Sequence, residues 1–195
     1  MTHGCSSCLK RAAAGYMQPR MGESGDAVGS PDPTHYLQQL ENAAIRRVEV
    51  GHQALELLDG DALAAAQVGF AVGPDGEDLT SAEPQAWKPH WLVIAVEESL
   101  GDPIFLDTAD RALPVYTVGH DMDRSRPHRI ADDFEGFVDA LRWVDEAAGG
   151  ETTPVELEER PLSDEDLQRL MARVMDRNPS AEPYWWRSFF RFGED

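Results

Sequence analysis

Cysteine is scarce in this chain: 195 residues contain two, Cys5 and Cys8, so no disulfide framework can staple the fold. Long apolar runs are missing too, and none approaches the roughly 20 residues that a helix needs to span a bilayer. Basic residues are outnumbered, with 17 Lys and Arg against 36 Asp and Glu and a formal net charge of −19. A field of that sign repels nucleic acid and anionic membrane and speeds encounter with a basic partner. The same acidity also serves plain solubility or adaptation to salt, and composition alone does not choose between these uses. Absent as well are the G-x-S-x-G, H-E-x-x-H, P-loop and G-x-G-x-x-G patterns. The residues therefore offer no argument for an enzyme or for a cofactor.

Cys5 and Cys8 form a lone C-x-x-C preceded by His3. A redox pair needs a helix N-terminus to lower the thiol pKa, and a zinc site needs about four ligands. The surrounding tail supplies neither, so no metal is expected. Residues 1–21 hold three basic and no acidic residue, and they lack the continuous apolar stretch of a secretory signal. A cytoplasmic location is expected. With 42% hydrophobic residues, the chain can bury one core, which predicts one domain with appendages.

Residues 1–31 read as a flexible tail and a Gly/Ser-rich linker. Asp32-Pro33 then offers a helix start, and Tyr36, Leu37, Leu40, Ala44 and Val48 mark one face of a helix to about residue 48. Residues 54–70 suggest a strand and a short helix, and residues 73–86, GPDGEDLTSAEPQA, an acidic loop. Trp91 to Val96 and Ile104 to Leu106 are apolar strands around a turn in which Gly101 supplies positive φ. Asp102 can bond a nearby backbone N–H there, and Pro103, lacking a donor, should start its strand. Asp107 ends that strand, and Val115 to Val118 make the next. Asp132 or Asp133 can cap a helix in which Phe134, Phe137, Val138, Leu141 and Val144 recur at three- and four-residue spacing, covering the sheet. Beyond Gly149-Gly150, Ser163 and Asp166 resemble a capping box before the stripe Leu167, Leu170, Met171, Val174 and Met175. The fold class expected is α+β, a mainly antiparallel sheet of about four to six strands flanked by helices, with a C-terminal helical extension.

The ordered set WLVIA, Gly101-Asp102, FLD ending at Asp107, Pro114-Val115-Tyr116, His120 and Ala131-Asp132-Asp133-Phe134 resembles the SMI1/KNR4 superfamily, also called SUKH. The likeness covers about half to two thirds of the chain, within a domain placed at 32–149 and followed by an aromatic-rich extension at 150–195. The family's Leu-Pro and Asn-Gly entry motif is not found. The resemblance implies a protein-binding module: in bacteria, an immunity protein that neutralises a polymorphic toxin of nuclease or deaminase class; in fungi, a regulatory or scaffold interaction protein. For such a module the chain's acidity and aromatics put the expected contact surface on Asp75, Glu77 and Asp78 of the acidic loop, on Trp87, Trp91 and Tyr116, and on His120, Asp121 and Asp123. A basic toxin domain is the expected partner.

Other readings of these residues are weaker. His120, Asp121 and Asp123 could converge on a metal, but a polar loop after a strand gives the same letters. Asp102 and Asp107 lie an odd five residues apart, which points them to opposite faces of a strand and argues against an acid/base pair. Tyr184, Trp185, Trp186, Phe189, Phe190 and Phe192 are too many aromatics for a solvated tail, since burying each is worth about 1.5–3 kcal/mol. Such a tail folds back on its own domain, forms a partner patch with Arg187 and Arg191, or makes a homodimer seam.

Overall fold

The computed structural model describes residues 31–50, 53–97, 101–119, 126–148 and 163–190. Among these residues the fold is α+β. Its elements are α1 (Thr34–Glu41), β1 (Arg47–Val50), β2 (Gln53–Glu56), α2 (Gly60–Ala66), β3 (Trp91–Val96), β4 (Pro103–Asp107), β5 (Val115–Thr117), β6 (His128–Ala131), α3 (Phe134–Ala148), α4 (Asp164–Arg177) and α5 (Pro183–Phe190). Strands β3 to β6 form an antiparallel sheet in chain order, and β1 with β2 form a separate hairpin.

The expected helix to residue 48 is corrected: α1 stops at Glu41. Asn42 ends it by bonding back to the last turn, its N–H to Gln39 O at 3.1 Å and its Nδ2 to Gln38 O at 3.0 Å. Val48 and Val50 alternate with Arg47 and Glu49, a strand period, and β1 buries both valines against α3. The Asp32 carboxylate accepts from Thr34 N–H at 2.9 Å, so Pro33 sits just before the first helical residue and not within the helix.

The central turn follows the sequence closely. Gly101 has φ +76° and donates its N–H to Glu97 O at 2.9 Å, while the Asp102 carbonyl accepts from Glu97 N–H at 3.0 Å. Pro103 opens β4, and its carbonyl accepts from Thr117 Oγ1 at 3.0 Å. Asp107 closes β4 by accepting from Ala109 N–H at 2.8 Å. Asp133, of the two candidates, caps α3 through Gly136 N–H at 2.6 Å.

Two cores result. On one face of the sheet, Leu92, Ile94, Leu106, Val115 and Ile130 pack against Phe134, Phe137, Leu141 and Val144 of α3. Tyr36, Leu40, Leu170, Val174 and Trp186 join the same cluster, so the C-terminal helices share the core of the central domain. On the other face, Trp91, Val93 and Phe105 meet Ala71 and Trp87 from the segment between α2 and β3, with Ala66 at the end of α2 packed at the margin.

Both sheet edges are closed by groups that are not strands. At β3, Gln67 lays its amide along the backbone: Nε2 donates to Val93 O at 2.8 Å and Oε1 accepts from Val93 N–H at 3.1 Å. Leu58 N–H donates to Ile94 O at 2.8 Å. At β6, Glu182 N–H reaches Arg129 O at 2.7 Å and Trp186 Nε1 reaches Ile130 O at 2.7 Å. Exposed edges recruit other strands, and these bonds remove the template.

A polar clasp holds α4 to α3. Arg177 donates to Asp133 at 2.8 and 3.1 Å, and buried Asn178 donates to Gly136 O at 3.3 Å. A Cβ at Gly136 would lie 2.5 Å from Asn178 Oδ1, so only glycine permits this approach. Burial alone would raise the Asp133 pKa, but the bonds from Arg177 and Gly136 N–H outweigh it and hold the carboxyl below the ordinary range.

Two outcomes are expected. Gln67→Met keeps the volume but leaves the Val93 N–H and carbonyl unpaired in the core, and urea denaturation should show a loss of about 3 kcal/mol. Because the Asp133 pKa is depressed on folding, its contribution is present above about pH 4 and is lost as pH falls through its lowered folded value. Urea midpoints measured from about pH 6 down to about pH 2 should therefore fall less steeply below about pH 4 in Asp133→Asn than in the native chain.

Candidate protein-binding surface

The segment from Gln67 to His90 runs across the outer face of the sheet and is braced along its length. After α2, Gly69 N–H donates to Val72 O at 2.7 Å, and Val68 bridges Val72, which in turn bridges Asp78. Leu79 N–H donates to Ala71 O at 3.0 Å, and Ser81 N–H to Trp87 O at 3.0 Å. Trp87 closes the brace from below, donating from Nε1 to Trp91 O at 2.9 Å. The expected acidic loop is thus a hydrogen-bonded strap.

Its tip is a tight turn. Gly76, at φ +85°, donates its N–H to Gly73 O at 2.9 Å, and Gly73 N–H donates to Glu77 O at 2.8 Å. The Glu77 carboxylate folds over Gly73, where a Cβ would sit 2.0 Å from Glu77 Cδ, and accepts from Asp75 N–H at 3.2 Å. Asp78 accepts from Thr80 N–H at 2.8 Å, a bond that lowers its pKa. Asp75, Glu77 and Asp78 are all exposed.

Most cations of the described residues lie in pairs away from this strap or are turned from it. Arg46, Arg47, Arg129, Arg142, Arg169, Arg173 and Arg177 all pair with carboxylates. Among the described residues, no Lys or Arg pairs with Asp75, Glu77 or Asp78. Lys88, the nearby cation, is turned inward: it donates to Glu83 O and lies 5.9 Å from the centroid of the Trp91 ring.

Trp87 and Trp91, expected at the contact surface, are core residues, 1% and 8% exposed. They pack edge to face at 5.3 Å, and each meets Phe105 at 4.8 Å. Aromatic surface of this size is costly to leave wet, so beneath the strap it becomes the second core. Tyr116 is half-buried at the end of this row, stacked on Phe105 at 5.8 Å with the Arg129 guanidinium 5.9 Å from its ring centroid. Burial, the chief cause, raises its pKa. His120, Asp121 and Asp123 lie outside the described residues. Asp102 enters the turn through its backbone carbonyl, and Asp107 ends β4 through its carboxylate. Among the described residues no group of His, Cys, Asp and Glu could hold a metal ion, and no helix is long and apolar enough to cross a membrane.

The sequence reading missed Val68 and Leu79, which stand on the strap 49% and 40% exposed. The letters V-G-F-A-V-G after α2 carried no signal for which apolar residues face out. Comparison with known protein families, with characterised proteins and with solved structures finds no match to this chain.

Trp87→Phe retains most of the ring but leaves Trp91 O without its donor. Stability should drop by about 1–2 kcal/mol, and limited proteolysis should cut between residues 73 and 86 faster than in the native chain. An unchanged cleavage rate would show that Trp87 does not brace the strap.

Proposed function

We propose that this chain is a non-catalytic protein-binding module that neutralises a basic partner, a bacterial toxin of nuclease or deaminase class, by occluding it as an immunity protein does. The observation that carries the reading is the strap bearing Asp75, Glu77 and Asp78, three exposed carboxylates on one turn that, among the described residues, no Lys or Arg pairs with. Unpaired surface charge strengthens a long-range field, and a field of −19 accelerates encounter with a cationic protein. Because the strap is hydrogen-bonded, its charges are presented without the ordering cost of a floppy loop.

The SMI1/KNR4 resemblance supports the same reading through the order of elements: WLVIA in β3, the Gly101 turn, β4 ending at Asp107, Val115-Tyr116 in β5, and the Asp133 cap before α3. In this mechanism the carboxylates stand in for phosphate charge and block the cleft through which a nuclease admits its substrate.

Affinity capture with the tagged full chain, washed at low and at moderate salt and read by mass spectrometry, should recover one basic toxin domain. Recovery of the chain alone, or of a cell-envelope protein, would overturn the immunity reading. With the recovered domain, Asp75→Asn/Glu77→Gln/Asp78→Asn should slow association about tenfold at low ionic strength, and the difference should shrink as salt is added.

A further inference from the structure

The aromatic row of the outer sheet face continues past Phe105 onto β5 and β6. Phe105 is the register partner of Tyr116, and Tyr116 that of Arg129, so the three side chains stand side by side on one face. Their contacts agree: the Tyr116 ring lies 5.8 Å from Phe105 on one flank and 5.9 Å from the Arg129 guanidinium on the other. Tyr116 is half-buried, and among the described residues nothing bonds its hydroxyl. Asp107 follows Phe105 by two residues and shares its face, a diagonal position within reach of a long side chain at Tyr116. Each carboxylate here has one oxygen engaged and one spare. Asp107 Oδ1 accepts from Ala109 N–H at 2.8 Å, while Oδ2 stands 3.8 Å from His90 Nε2, beyond hydrogen-bonding distance. Asp110, exposed in the same turn, accepts from Ala112 N–H at 2.9 Å through Oδ1.

We propose that Tyr116 Oη and the spare oxygen of Asp107, with Asp110 at the rim, receive a lysine side chain of a partner protein and anchor it at the open end of the outer sheet face. The inference rests on the binding-module reading and names the chemistry of one contact. Charge complementarity selects a cation, because the nearby guanidinium of Arg129 is already held by Asp132, with Nε 3.4 Å from Oδ1. The acceptors select lysine over arginine. A guanidinium fork matches the two oxygens of one carboxylate, whereas an ammonium donates in three directions to acceptors on separate groups. A second copy is a poor occupant: the chain has two lysines, Lys10 and Lys88, and Lys88 donates to its own Glu83 O. The packed row fixes the phenol before the partner arrives, so little side-chain freedom is lost on binding.

The test is a titration of the isotope-labelled full chain with N-acetyl-lysinamide at moderate salt, followed by NMR. N-acetyl-argininamide and N-acetyl-norleucinamide are the comparison probes. The lysine probe should shift the Tyr116 and Asp107 amide signals saturably, and the norleucine probe should leave them in place. Tyr116→Phe keeps the ring, and Asp107→Asn keeps an acceptor for Ala109 N–H. Both variants should give native-like spectra and bind the lysine probe about fivefold more weakly. Shifts that never saturate, or equal binding by the native chain and Tyr116→Phe, would overturn the site. An equal response to the arginine probe would overturn the choice of lysine. Capture of a basic toxin domain by a chain that fails this titration would keep the module and remove the anchor, whereas a saturable lysine response without any captured domain would keep the anchor and remove the immunity reading.

Discussion

Val93 and Ile130 stand on the two outer strands of a four-stranded sheet, and each would leave backbone groups unpaired in a dry interior. An amide side chain answers the first, since Gln67 matches both the Val93 N–H and its carbonyl, and an indole answers the second, with Trp186 Nε1 on Ile130 O. Burying such groups without partners costs more than most single contacts return. Much of the remaining architecture follows from meeting that demand. Gln67 must sit where α2 ends, which launches the strap across the outer sheet face. Trp186 must reach β6, which draws the C-terminal helices into the main core.

Once the strap is fixed in that position, the outer face is sealed by aromatics. The row from Trp87 and Trp91 through Phe105 to Tyr116 fills the space that a second helical layer occupies in other two-layer folds. This has a consequence for recognition. The tryptophans, the residues most often found at the centre of protein interfaces, are spent on the fold, and what the strap shows to solvent is carboxylate and aliphatic.

Much of the fold was legible in the letters. The β3 to α3 stretch announced itself through a Gly-Asp-Pro turn, a strand-ending Asp and an apolar period of three and four, because each of these is a local requirement of backbone geometry. The capping box at Ser163 was legible for the same reason, with Ser163 Oγ accepting from Asp166 N–H at 3.1 Å. The misread elements were β1, expected as helix, and β6, where no strand was expected at His128–Ala131. Leu40, Ala44 and Val48 recur every four residues by coincidence, and Val48 is drawn into a strand by its partner Leu55, a pairing across the chain that no window on residues 32–48 contains. At the site, the acidic strap was visible as composition, but the burial of Trp87 and Trp91 and the exposure of Val68 and Leu79 were not.

The sequence by itself determined the α+β class, the succession of β3, β4 and β5, the caps at Asp133 and Ser163 and the acidic field, since these depend on local sterics, hydrophobic period and summed charge. Tertiary structure alone decided that Trp186 of the aromatic C-terminus belongs to the core, that a glutamine closes a sheet edge, and which apolar residues face water. Those choices turn on which distant surface arrives to cover each group, and burial is a property of the pair brought together, not of either residue alone.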